Sequence, residues 1–316
     1  MKKLFILSGG VGSEREVSLL SGRNVVDTLR SEGVICEEII VEKDRSFVYN
    51  SMVMSESEGL DFLKKENALV FQVIHGTYGE DGELVHKLEE KGIAYIGSSS
   101  EVLTLTIDKY ETEKFLRENN IVTTQSLLVR SETDIPVENS SESFPSIIKP
   151  NKEGSSVGVI KVKNRSELQE VVRKSLQEHE EILVQKCIEG REFSCGVVEI
   201  EGKLIALPVT EIILTKGGMF DYEAKYTVDG CKEVTPAQIN EEMTLRIQEA
   251  ALKVHTVTGC KDISRTDMIL SGSDELVVLE INTIPGMTKT SFVPEEMRVA
   301  GYTLSQFIQG MVKKYS

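Results

Sequence analysis

One stretch, Ser264 to Ser291, reads SRTDMILSGSDELVVLEINTIPGMTKTS and limits what the chain can fold into more than any other. Two apolar runs, Met268–Leu270 and Leu276–Ile281, flank a turn-forming patch of Gly272, Ser273, Asp274 and Glu275. That pattern predicts a β-hairpin. Asp267 precedes the first run, and Glu280 and Asn282 interrupt the end of the second. Side chains alternate faces along a strand, so Glu280 and Asn282 share a face. A four-residue loop pairs Ser271 with Leu276 and sets Asp267 opposite Glu280. A five-residue loop would turn Asp267 to the other face. Facing carboxylates repel unless something neutralises them. A hard cation such as Mg²⁺, which prefers oxygen ligands, would do so. Charges on strands more often face solvent, but here Val277, Val278, Leu279 and Ile281 are the neighbours, which favours a metal site.

The 316 residues suffice for two or three domains with sizeable cores. A net charge of −15 argues against nucleic acid or an anionic membrane as the main partner. Five cysteines lie scattered, with no CxxC pair, as expected of reduced thiols in a cytoplasmic protein. The histidines show no zinc spacing, the apolar start Leu4–Leu7 is too short for a signal peptide, and no segment approaches membrane-spanning length.

In chain order, Lys3–Ser8 predicts a buried strand, Gly9–Gly12 a tight loop, and Ser13 with Glu16 a capping box opening a helix to Ser31. Strand, loop and helix predict an α/β fold that starts with a parallel sheet. Glu14 sits at the mouth of that loop, where the helix dipole favours a carboxylate and where it could receive a substrate ammonium. Residues 41–67 show little pattern. Ala68–Ile74 predicts a second strand, ending at His75, and ligands bind at such strand ends. A break at Gly97–Ser100 sets the first domain boundary, and Asp108 with Glu111 caps a helix that carries Lys109 in its first turn. Lys149 precedes the Gly/Ser-rich loop 151–158, whose backbone N–H groups can cradle phosphate oxygens. A strand over Ile182–Cys187 exposes backbone groups suited to an adenine edge, and strands are expected over Phe193–Ile200 and Leu204–Ile213. The long loop 215–230, with Lys225 and Tyr226, is functional in character. A helix over 237–258 leads to the hairpin, and helices over 294–300 and 303–314 close the chain.

Six segments in order carry a resemblance: GGVGSEREVSLLSG (9–22), HGTYGEDG (75–82), IKPNKEGSSVGV (148–159), FDYEAKY (220–226), SRTDM (264–268) and LEINTIPGMT (279–288). The chain resembles the D-alanine–D-alanine ligases of the ATP-grasp superfamily. The resemblance implies an α/β chain, α+β in its ATP-binding part. It implies an N-terminal substrate domain with a parallel sheet (1–97), a central ATP-grasp domain (98–186), and a C-terminal ATP-grasp domain (187–316) with the metal site and a lid at 215–230. It implies a cytoplasmic homodimer that joins two D-alanines through a D-alanyl phosphate made from ATP. Asp267, Glu280 and Asn282 match ligands of two Mg²⁺ or Mn²⁺ ions. Lys109, Lys149 and Lys186 match phosphate and base contacts, Gln185 and Ile188 flank the base, Glu192 matches the ribose contact, and Lys225 a γ-phosphate contact. Glu14 matches the holder of the first D-alanine's ammonium, with His75 beside it. Ser155, in the phosphate loop, and Tyr226 match Glu14's partners in closing the site. Arg265 matches the oxyanion stabiliser, and Ser291, with Gly286 and Phe292, the second-substrate contact. Tyr226 is the residue type associated with D-alanine rather than D-lactate as second substrate. Two features depart from the common pattern: Gln185 where many members have Glu, and Lys289-Thr290-Ser291-Phe292 in place of Ser-His-Ser-Leu.

Chemistry read from the residues agrees. Phosphoryl transfer needs Mg²⁺ and cationic clamps, and a tetrahedral oxyanion needs a fixed donor such as a guanidinium. Competing expectations are another ATP-grasp carboxylate–amine ligase, a dinucleotide-dependent oxidoreductase, which the missing GxGxxG spacing disfavours, and a non-catalytic nucleotide-binding regulator, which has no need of Arg265.

Overall fold

Strand β1 (Lys3–Gly9) is buried after its first residue and apolar on both faces. Leu4 and Ile6 enter one apolar cluster, Phe5 and Leu7 the other. A strand buried on both sides belongs in a parallel sheet covered by helices. The computed structural model, which describes residues 2–135, 144–154, 158–214 and 231–316, shows that sheet. Parallel partners β2 (Glu37–Val41) and β5 (Ala68–Gln72) flank β1, and β6 (Ala94–Ile96) pairs with β5. Two short antiparallel strands, β3 (Phe47–Tyr49) and β4 (Met52–Met54), extend the β2 edge. Together with helix α2 (Glu56–Lys65) they fill a region whose sequence carries little pattern, because edge strands of three residues leave no readable periodicity. Helix α1 (Arg15–Ser31) covers one face and α2 and α3 (Glu83–Glu90) the other. Glu14, not Ser13, is the N-cap of α1, and no side chain caps it. The expected capping box is therefore absent there.

Helices α4 (Ser100–Ile107) and α5 (Lys109–Glu118) follow, and α4 was not foreseen. Asp108 caps α5 by accepting from the Glu111 N–H at 3.1 Å, as expected. A four-stranded antiparallel sheet comes next, ordered β7 (Ser126–Val129), β10 (Ile182–Lys186), β8 (Ser146–Pro150), β9 (Ile160–Val162). Helix α6 (Arg165–Glu178) packs on it through Leu168 and Val172.

The third sheet is built on the long strand β11 (Gly190–Ile200). Beside it run β15 (Ile263–Ser271) and then β16 (Leu276–Asn282). On its other side β13 (Thr210–Leu214) pairs residues 192–194 and β12 (Lys203–Ala206) pairs residues 197–200. The single strand expected over Leu204–Ile213 is thus two, parted at Leu207–Val209, where Pro208 has no N–H for a ladder. Strand β14 (Cys231–Val234) pairs β13, and helix α7 (Glu241–Thr258) covers the sheet through Ile247, Ala251 and Val254. Helices α8 (Phe292–Val299) and α9 (Leu304–Tyr315) end the chain, and Met297, Phe307, Ile308 and Met311 join the apolar cluster of β1 and α1. No helix among the described residues is long and apolar enough to cross a membrane.

His255, inside α7, is fully buried with Nδ1 2.7 Å from the Ser264 hydroxyl. Burial pushes its pKa down to about 4, against a weaker opposing pull from Asp262. A depressed native pKa means that stability present above pH 6.5 is lost as pH falls towards 4. Between about pH 7 and about pH 4.5 this group alone should remove about 2–3 kcal/mol. Urea unfolding of wild type and His255→Asn at both pH values should show a smaller acid loss in the variant. An equal loss in the two proteins would reject the assignment.

Candidate active site

The hairpin places Asp267 opposite Glu280 and Arg265 opposite Asn282. The expected pairing is present, but its cause differs. Leu270 pairs Leu276 and the Ser271 N–H donates to the Glu275 carbonyl at 2.9 Å, so the loop is one residue shorter than expected. That register alone would set Leu279 opposite Asp267. A β-bulge between Met268 and Asp267 skips Leu279 and brings Glu280 into place. Met268 and Val278 can then both point into the core while the carboxylates point away from it.

Two cavities meet at this hairpin. The larger, about 420 Å³, lies between the first sheet's loops and the third sheet, and Glu14, His75, Glu80, Arg265, Glu280, Asn282, Gly286, Ser291 and Phe292 line it. The smaller, about 150 Å³, lies between the second and third sheets, lined by Lys149, Gln185, Ile188, Glu192, Asp267 and Glu280. Lys109, Glu153 and Glu280 border both. Lys186 is exposed and its side chain lines neither, although its neighbours Gln185 and Cys187 line the smaller. Ser155, Lys225, Tyr226 and the rest of loop 215–230 lie outside the described residues.

Two buried cations, Arg265 and Lys149, lie in the field of the hairpin carboxylates. Arg265 grips Asp267 with two bonds, Nε to Oδ1 at 2.9 Å and Nη2 to Oδ2 at 2.7 Å. Its guanidinium carbon stands 5.5 Å from the Phe292 ring centroid, within cation–π range. Burial works against the Arg265 charge, but Asp267, followed by Glu280, holds its pKa above the ordinary value. Lys149 is 8% exposed. Burial pushes its pKa down, with Glu280 opposing. A buried ammonium aimed into a cavity suits a polyanionic ligand.

The oxygen set fits a hard cation. Asp267 also accepts from the Ser194 hydroxyl at 2.7 Å, which with Arg265 fixes the orientation of its carboxylate. Asn282 Oδ1 accepts from the Ile284 N–H at 2.9 Å, which fixes the amide with its oxygen held. Among the described residues no three His, Cys, Asp or Glu side chains gather as a metal cluster. The set is two carboxylates and one amide, the donor type Mg²⁺ takes when substrate phosphates supply the remaining ligands.

Helix α1 and the loop after β16 are stitched together beside the larger cavity. Ser21 Oγ lies 3.4 Å from His75 Nε2 and accepts from the Met287 N–H at 3.2 Å. Asn24 donates to the Met287 carbonyl at 2.7 Å. Helix α1 thereby fixes the loop that carries Gly286 and Ser291. Ser291 Oγ accepts from the Thr288 N–H at 3.1 Å and lies 2.8 Å from Thr288 Oγ1. A Cβ at Gly154 would stand 2.6 Å from Glu14 Oε2, so a side chain there would push the Glu14 carboxylate aside.

The matches follow. Residues 3–98 match the family described as D-ala D-ala ligase N-terminus, and residues 116–313 that described as D-ala D-ala ligase C-terminus. The chain belongs to the D-alanine–D-alanine ligase family. A D-alanine–D-alanine ligase of Rhizobium meliloti is 36% identical, the match covering 100% of this chain and 98% of that one. One of Fervidobacterium nodosum is 34% identical over 98% of each. The crystal structure of the VanG D-Ala:D-Ser ligase from Enterococcus faecalis superposes with a TM-score of 0.83 at 29% identity, over 100% of this chain and 99% of that one. As in this family, the architecture is mixed α/β of the ATP-grasp kind.

Three further residues, Glu80, Asn151 and Glu296, stand in or beside the two cavities and were not picked out from the sequence. Glu80 accepts from the Gly76 N–H at 3.0 Å and lies 3.6 Å from His75 Nδ1. Asn151, 1% exposed, accepts from the Tyr110 N–H at 3.0 Å and donates to Asp108 at 3.0 Å and Glu181 at 2.9 Å, fixing the chain after β8 to α5. Both lie inside quoted motifs, which was the available signal. Glu296 on α8 had none. Its carboxyl is buried, accepts from the Gly196 N–H at 2.7 Å and the Thr210 hydroxyl at 2.8 Å, and is pushed by burial up to about 8.

Proposed function

We propose that this chain is an ATP-dependent ligase that joins two D-alanines into D-alanyl-D-alanine for peptidoglycan precursor synthesis. One observation carries the reading: a cavity sized for small substrates and a second lined by a buried lysine share Glu280, opposite Asp267. The smaller cavity takes ATP, with Lys109 and Lys149 on the phosphates, Gln185 and Ile188 at the base and Glu192 at the ribose. Lys186 contributes through its main chain. Asp267, Glu280 and Asn282 would hold two Mg²⁺ or Mn²⁺ ions. When bound, these ions supply charge neutralisation on the transferring phosphoryl group. Glu14 and His75 hold the first D-alanine with its carboxylate towards the phosphate. Arg265 faces the oxyanion that forms when the second amine attacks, and Ser291 receives the second carboxylate. Ser155, Lys225 and Tyr226 would close over the site, excluding water from the acylphosphate. The domain limits 1–97, 98–186 and 187–316 suit this arrangement, each segment holding one sheet. We extend the reading to a cytoplasmic homodimer.

The test is phosphate release with ATP, Mg²⁺ and D-alanine. Release is expected with D-alanine and none with L-alanine. Release with L-alanine, or with another amino acid and not D-alanine, would reject the assignment in favour of a different ATP-grasp ligase. D-Serine and D-lactate as second substrates measure how strictly the acceptor end selects.

A further inference from the structure

Glu296 stands beneath the site rather than in it. It is 0% exposed and lines neither of the two main cavities. A buried carboxyl is costly unless its hydrogen bonds are made, so its two partners locate its purpose. The first is Gly196. Strand β11 changes partner around this residue, from β13 at 192–194 to β12 at 197–200. The Gly196 carbonyl accepts from the Leu207 N–H at 2.8 Å, which leaves its N–H on the same edge without a strand partner. Glu296 fills that gap. A Cβ at position 196 would stand 2.7 Å from Glu296 Oε2, so glycine is what lets the carboxyl in. Gly196 is also the residue paired with Arg265 on the opposite edge. The second partner, Thr210, opens β13, and its hydroxyl lies 2.7 Å from that of Thr235, just past β14. These two threonines stand at one end of the β13–β14 pair, the end away from Leu214 and Cys231.

The helix that delivers Glu296 also begins the acceptor end. Ser291 is the N-cap of α8 and Phe292 its first residue. Phe292 and Glu296 are four apart and share a helix face, which meets Arg265 through the Phe292 ring.

Resting on the ligase reading above, we propose that Glu296 is a positioning residue for the second substrate. Its carboxyl ties α8, and with it Ser291 and Phe292, to the strand position opposite Arg265 and to that end of the β13–β14 pair.

The experiment compares wild type, Glu296→Ala and Glu296→Gln. It measures kcat, the KM for ATP, the separate KM values for the two D-alanines, and D-alanyl phosphate trapped by hydroxylamine. Glu296→Ala is expected to raise the KM of the second D-alanine about tenfold, with ATP KM and trapped acylphosphate within about twofold of wild type. A glutamine amide can accept from the Gly196 N–H and donate to Thr210, whose own proton turns to Thr235. Glu296→Gln should therefore return the second KM to within about threefold of wild type. The proposal is overturned if Glu296→Ala leaves the second KM unchanged, if ATP KM and acylphosphate yield shift equally, or if folded Glu296→Gln fails to restore it. Should Glu296→Ala not fold, Thr210→Val, which removes one of the two bonds, must raise the second KM, and no rise overturns the idea. A wild type that releases no phosphate with D-alanine rejects the ligase reading itself, and the wild-type arm alone reports that.

Discussion

Replacing Glu280 with Gln is expected to cut D-alanine-dependent ADP release about a thousandfold, equivalent to about 4 kcal/mol of transition-state stabilisation. Three features make the effect large. Glu280 borders both cavities, faces Asp267 across the hairpin, and opposes the burial that lowers the pKa of Lys149. The amide is the same size, so the packing of β16 survives while half the anionic charge that would hold the ions is gone. Rates measured across a Mg²⁺ titration separate the causes. The variant should need much higher Mg²⁺ and should not regain the wild-type rate. A wild-type rate at the same Mg²⁺ concentration would remove Glu280 from the ligand set.

The second large effect is at Arg265. Arg265→Lys is expected to lower kcat for dipeptide formation about a hundredfold, the lower end of what one oxyanion donor supplies. Lysine keeps the charge but cannot grip Asp267 through two parallel bonds and still present an edge to the cleft. The loss should fall on the second step. With hydroxylamine present, the variant should still yield the hydroxamate of D-alanyl phosphate at a rate close to wild type. Equal loss of hydroxamate and dipeptide would assign Arg265 to phosphoryl transfer instead.

Much of this site could be read in the sequence because polar residues interrupt apolar runs at places that chain geometry then constrains. Asp267, Glu280 and Asn282 stand out among valines and leucines, and alternation alone says two of them share a face. The turn length was not readable. A single skipped residue, Leu279, leaves the apolar run Val277-Val278-Leu279 looking continuous, since a bulge has no composition of its own. Strand splitting at Leu207–Val209 was hidden for a related reason, because the run stays apolar through the break. Glu296 was the least legible. Glu295 and Glu296 adjoin on an amphipathic helix and look like one solvated pair. Only the fold separates Glu295, which pairs with Arg298 at 2.5 Å, from its buried neighbour. At the start of α1 the Ser13–Glu16 spacing misleads, because Glu14 is the N-cap and no side chain caps the helix.

The cluster that unites Leu4, Ile6 and Phe71 with Phe307, Ile308 and Met311 has a consequence for how the polypeptide is made. One face of the first sheet is finished by the last helix. A nascent chain leaving the ribosome can form β1, α1 and β5 early, yet that apolar face stays partly bare until Phe307, Ile308 and Met311 have been made. Loss of Leu304–Tyr315 therefore uncovers Leu4 and Ile6 of the opening strand, hundreds of residues upstream, together with Met297 beside the cut.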